Sequence, residues 1–160
     1  MRFALPAALA FMAWSACSWP HAAAVAASGG DDPDARPPVT PADLDIVRRA
    51  RAILASPAVW NRADKRECPP TAQTFSIYCA LEKATRDAGR TFEHRGAALQ
   101  EVRFVIDEIT TDRTYEHRLM DYNNDPRTTL AEVQQVLRVA AELIALRLDA
   151  AAPETPAAAR

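Results

Sequence analysis

Two nearly identical segments carry the residues best suited to chemistry. Arg90-Thr91-Phe92-Glu93-His94-Arg95 and Arg113-Thr114-Tyr115-Glu116-His117-Arg118 match at every position except Phe for Tyr. If they met in space, His94 and His117 with Glu93 and Glu116 would form an acid–base or metal site, because imidazole titrates near neutrality and is the commonest metal ligand. Against this stands the absence of an H-E-x-x-H or similar close ligand pair, and two histidines alone rarely hold zinc. The structural alternative, which we favour, is two helix starts built alike: a Thr cap, a buried aromatic, polar residues outward.

A second constellation resembles a calcium loop. Asp121, Asn123, Asp125 and Glu132 occupy the ligand positions of D-x-[DN]-x-[DN]-G-x₅-E. The sixth position requires a positive φ, however, and it holds Pro126, whose ring fixes φ near about −65°. Residue eight, usually aliphatic, is Thr128. The expectation is therefore a structural turn: Asn124, Asp125 and Pro126 reverse the chain, and Thr129 with Glu132 caps the following helix. No metal and no cofactor is expected. No serine sits in a Gly-x-Ser-x-Gly elbow, and there is no Gly-rich phosphate loop. Trp60 reads as a core plug.

Four amphipathic helices account for the apolar pattern. The first opens at Thr40-Pro41-Ala42-Asp43, with a cap residue, a proline at the first helical position and an acid in the first turn, and runs to Ser56-Pro57. The second is predicted over 71–88, with Gly89 as its C′ residue. The third, over 92–109, places Ala98, Leu99, Val102, Val105, Ile106 and Ile109 on one face. The fourth starts at the Thr129-x-x-Glu132 capping box, and a short helix is predicted over 113–120. No stretch alternates with period two. The fold class is all-α: a single small bundle of four main helices plus a short one.

The ends give the expected destination. Residues 1–27 have a cationic Arg2, an apolar run from Phe3 to Trp14 and small residues around Ala22–Ala27, which together read as a secretory signal peptide. The rival reading is a lipoprotein signal, Ser15-Ala16-Cys17-Ser18, which would anchor Cys17 to a membrane; Trp14 stands where such sites carry an aliphatic residue. Residues 28–41 and 150–160 are rich in Pro or Ala and read as a disordered linker and a disordered tail around a helical domain at 42–149. In an exported chain the remaining pair, Cys68 and Cys79, is most simply one disulfide; the alternative is a buried Cys79 with Cys68 free. Loss of Arg2 with the leader takes the formal charge from −2 to −3, which argues against nucleic acid.

Trp60, then Tyr78-Cys79-Ala80-Leu81, then Asn124-Asp125-Pro126 followed by Thr129-x-x-Glu132-Val133, resemble the pattern of a bacterial and phage domain family of unknown function. Its members share a Trp, a WCALGAL helix start, and a WND turn leading into T-x-x-E-V. The resemblance spans about residues 44–148. It departs where Glu82-Lys83 replaces Gly-Ala, where Asn123 replaces Trp, and in a turn one residue shorter. Trp60, Cys79, Asn124 and Asp125 match the pattern, which implies architecture and no particular activity.

The functional expectation is an exported helical module that binds another envelope or secreted protein without catalysis. An envelope enzyme using Glu93, His94, Glu116 and His117, or a divergent calcium domain at 121–132, are the rivals. Intact-mass measurement of the exported protein is expected to place its first residue between Val25 and Ser28. A lipid-modified Cys17 at the N-terminus would contradict the soluble form.

Overall fold

The computed structural model describes residues 36–152. Residues 1–35 and 153–160, which hold the expected leader with Cys17 and parts of the expected linker and tail, lie outside the described residues. Five helices follow in order: α1 Pro41–Ile53, α2 Ile77–Asp87, α3 Ala97–Ile109, α4 Arg118–Asn124 and α5 Leu130–Ala151. Among the described residues there is no strand, only an isolated parallel bridge between Trp60 and Phe75. No helix among them is long and apolar enough to cross a membrane.

α1 lies between α2 and α5, and α5 also packs along α3, while α4 closes the open end against α2 and α3. The shared core is built from Val47, Ala50 and Leu54, Ile77 and Leu81, Val102, Val105 and Ile106, and Val133, Val136, Leu137 and Ile144, all fully buried. These are the apolar positions at helical spacing, so burial of one stripe per helix drives the bundle. Glu101 is buried too, but it is paired with Arg147 at 2.7 Å and Arg36 at 3.5 Å. Arg147 also donates to the Pro37 carbonyl at 2.7 Å, tying residues ahead of α1 to α3 and α5.

Helix ends follow local chemistry. The α2 C-terminus is a Schellman turn: Gly89 has φ +68, its N–H donates to Arg86, and the Arg90 N–H reaches back to Thr85. At α5, the Glu132 carboxylate accepts from the Thr129 N–H at 2.7 Å while Thr129 Oγ1 accepts from the Glu132 N–H at 3.3 Å.

Three starts differ from the sequence expectation. α2 begins at Ile77, not near residue 71, because Phe75 spends its N–H on the Val59 carbonyl and its own carbonyl on the Asn61 N–H; Ser76 then caps Cys79. α3 begins at Ala97, since residues 93–96 form a turn closed by the Gly96 N–H on the Glu93 carbonyl. The short helix lies at Arg118–Asn124 rather than 113–120, with the Asp121 carboxylate accepting from the His117 N–H at 2.7 Å. Thr91 and Thr114 therefore cap nothing. The two echoed segments are loops leading into helices, not helix starts. Asn124 likewise closes α4 instead of opening the turn, and Asp125 follows it as the C-cap.

Residues 54–76 cross from α1 to α2 with no helix of their own. Such a length needs external anchors. One is the Cys68–Cys79 disulfide, with Cα atoms 5.3 Å apart, which ties the segment to α2. Closing a loop this short contributes on the order of 3 kcal/mol in the chain-entropy model.

The other anchor is a pair of asparagines on α4. Asn123 is fully buried, and its Oδ1 accepts from Trp60 Nε1 at 2.9 Å and from the Ile77 N–H at 3.1 Å. Its Nδ2 donates to the Asn61 carbonyl at 2.9 Å and to Asn124 Oδ1 at 3.1 Å. Asn124 in turn accepts from the Asp64 N–H at 2.7 Å and donates to the Asp64 carbonyl at 3.0 Å. Trp60 is thus more than a plug.

Asn123→Ala is expected to strand the Trp60 indole, the Ile77 N–H and the Asn61 carbonyl together. Chemical denaturation should show a loss of about 3 kcal/mol or more, at roughly 1 kcal/mol or more per orphaned buried group. Thr129→Ala, which removes only a cap, should cost about 1 kcal/mol.

Candidate functional site

Four separate stretches of chain converge on one cleft of about 160 Å³. Arg66 comes from the α1–α2 segment, Tyr78 from the first turn of α2, His94 and Arg95 from the loop before α3, and Gln100 and Arg103 from α3. Glu116 and His117 lie just before α4, and Arg118, Leu119 and Met120 in it. Four arginines and two histidines thus face one acid in a chain of formal charge −2.

Arg66, Arg118 and Arg103 are each placed by a specific contact. Arg66 has φ +58, a left-handed backbone uncommon outside glycine, stabilised by its N–H donating to Asp64 Oδ1 at 2.7 Å. Asp64 is buried and held by Asn124, so the α4 asparagines fix where Arg66 leaves the chain. Arg118 is oriented by Asp107 at 3.1 Å and lies over the Phe104 ring. Arg103 donates through Nη1 to the His94 carbonyl at 2.9 Å and to Gln100 Oε1 at 2.7 Å. Tyr78 packs edge-on to Phe92, 5.4 Å between centroids, and against His94 at 5.7 Å.

The crowding of positive charge shifts the titrating groups. Burial, then the neighbouring Arg95 and Arg118, pull the Arg103 pKa down to about 10, which leaves it charged at neutral pH. Burial and then Arg103, Arg66, Arg95 and His117 hold His94 below the usual histidine range. Burial and the nearby Glu82 carboxylate push the Tyr78 phenol up. Chemically, the cleft can receive negative charge and offer it guanidinium, imidazole and phenol groups.

Of the four residues singled out by the echo, His94, Glu116 and His117 share this cleft. Glu93 does not; it lines a separate depression beside Thr40 and Arg90. Sequence reasoning missed Arg66, Tyr78, Arg95 and Arg103, and it passed over Arg118 as a polar end of the echo. The signal was partly there: Arg95 and Arg118 are the last residues of the two echoed segments. Arg66 and Arg103 had no such mark.

The calcium-like positions are drawn to four different partners. Asp121 accepts from His117, Asn123 holds Trp60 and Ile77, and Glu132 caps α5. Asp125 accepts from the Arg127 N–H at 2.8 Å, the Arg127 guanidinium at 3.0 Å and the Tyr115 hydroxyl at 2.8 Å. The Arg127 side chain first, then its N–H and Tyr115, hold the Asp125 carboxyl well below the usual carboxylate range. Among the described residues, no group of three or more His, Cys, Asp or Glu is placed to hold a metal ion.

The family of unknown function DUF6197 matches residues 36–143, and the chain belongs to that family. No curated protein and no solved structure matches it. The matched span contains the whole cleft and both α4 asparagines.

Because Asp121, Asn123, Asp125 and Glu132 each serve a different partner, millimolar calcium is expected to leave the melting temperature unchanged. A rise of several degrees that Asp121→Ala abolished would contradict this assignment.

Proposed function

We propose that this member of the family is an exported, non-enzymatic binding module that takes an acidic segment of another envelope or secreted protein into the arginine-lined cleft. One observation carries the reading: Arg66, Arg95, Arg103 and Arg118 converge on a single cavity although the chain as a whole is slightly acidic. A cavity lined by several guanidinium groups attracts negative charge, which an acidic ligand would supply. Export is supported by the leader-like residues 1–27, and in that setting the Cys68–Cys79 bond is in keeping. Nucleic acid is not the partner proposed, because the chain as a whole is slightly acidic.

A second reading has one observation in its favour. Glu116 and two histidines share the cleft, so an acid–base enzyme acting on an anionic substrate would draw on His94, Glu116 and His117. Glu93 falls out of that set.

Affinity capture from envelope extract, followed by mass spectrometry, separates the two. The full mature chain is expected to recover a defined protein partner, and charge reversal by Arg66→Glu with Arg95→Glu should abolish recovery. Both residues are exposed, so the variant should fold. Recovery should also fall as salt is raised, since exposed charge pairs are screened beyond about 8 Å at physiological ionic strength. Equal recovery by the variant, or a turnover that Glu116→Gln removes, would overturn the binding reading.

A further inference from the structure

The position of His94 says how the cleft responds when it fills. Arg103 Nη2 lies 3.4 Å from His94 Nε2. A guanidinium carries donors and no acceptor, so a hydrogen bond at this contact requires Nε2 to accept, which only an uncharged imidazole can do. The groups around that ring are mostly basic: Arg66 from the α1–α2 segment, Arg95 beside it, Arg103 from α3, and His117 and Arg118 at the start of α4. Tyr78 of α2 faces it as a neutral phenol, and Glu116 is the acid of the lining. A second positive charge at His94 is disfavoured there until something negative arrives.

We propose that the cleft is an oxyanion receptor whose filling draws one proton onto His94. This rests on the binding reading above and adds its chemistry and its regulation. As a carboxylate enters, Arg103 Nη2 turns from the imidazole to the oxyanion. His94 Nε2, released from that donor, takes a proton from solvent and becomes a donor itself. One N–H bond forms at Nε2 with the solvent proton, no bond between heavy atoms changes, and the proton returns to solvent when the anion leaves. Binding therefore strengthens as pH falls through the range where histidine titrates, and release is favoured on the alkaline side. Arg103 is already committed through Nη1 to the His94 carbonyl and Gln100, so it can pivot at Nη2 without leaving the cleft.

Sulfate is the direct probe, because its charge does not change where histidine titrates. Calorimetric titration of the full mature chain with sulfate, at constant ionic strength and in two buffers of different ionisation enthalpy, reads affinity and proton uptake together. The expected result is an affinity that rises about tenfold between about pH 8 and about pH 5.5, the equivalent of a one-unit pKa change on filling. It should be accompanied by net proton uptake at intermediate pH. His94→Gln should still bind but lose the pH dependence, His117→Gln should keep it, and Arg103→Gln should weaken binding at every pH. Sulfate binding without proton uptake, pH dependence that survives His94→Gln, or no sulfate binding at all would overturn the proposal. If capture of a protein partner still depended on Arg66 and Arg95 in any of those cases, the binding reading would stand and only the oxyanion–proton linkage would fall.

Discussion

A single buried amide holds the working part of this molecule together. Asn123 has no solvent contact, and a primary amide in that position is costly unless all its donors and acceptors are matched. Here they are: two donors reach Oδ1 and Nδ2 reaches two acceptors. The partners come from Trp60 and Asn61 in the long α1–α2 segment and from Ile77 at the start of α2. One side chain thus specifies where that segment lies and where the next helix begins. Asn124 extends the same clamp to Asp64. Asp64 supports the left-handed turn from which Arg66 projects. A satisfied polar network of this kind specifies geometry in a way apolar packing does not.

The cleft depends on that geometry because its cations repel one another. Several arginines elsewhere are neutralised locally, as in the Arg147–Glu101 and Arg138–Glu142 pairs. At the cleft Arg118 is paired with the exposed Asp107. Arg103 is spent instead on a carbonyl and an amide oxygen, neither of which carries a formal charge. Such an arrangement lowers stability and prepares a site for negative charge, the trade that binding and catalytic sites commonly make. The disulfide and the α4 clamp offset part of that cost on the side of the fold that needs it.

The helices themselves were legible because their signals are local or periodic. The apolar stripe of α3, the Gly89 terminus of α2 and the Thr129–Glu132 start of α5 each sit within a few residues of sequence. The starts of α2 and α3 were not legible, because a tertiary hydrogen bond and a turn delay them: the Phe75–Val59 bond holds the chain extended up to Ser76 ahead of α2, and the Glu93–Gly96 turn precedes α3. The same limit applied to the cleft. Its echoed segments stood out as words, yet their histidines drew notice while Arg95 and Arg118, the residues that give the cleft its sign, looked like ordinary surface charge. Arg66 and Arg103 are joined to them only by the fold. Asp125 and Glu132 showed the converse: a ligand-like spacing whose members turn to separate neighbours once the backbone is in place.

Hydrogen exchange tests the central claim, that the α4 asparagines fix the α1–α2 segment and through it the cleft. The account predicts that the Trp60 indole N–H and the Ile77 and Asp64 amides exchange as slowly as amides in the middle of α3, since these three sites would open only with the whole fold. Rapid exchange of the Trp60 and Asp64 protons in a protein whose α3 amides stay protected would show an independently opening segment, and would contradict it.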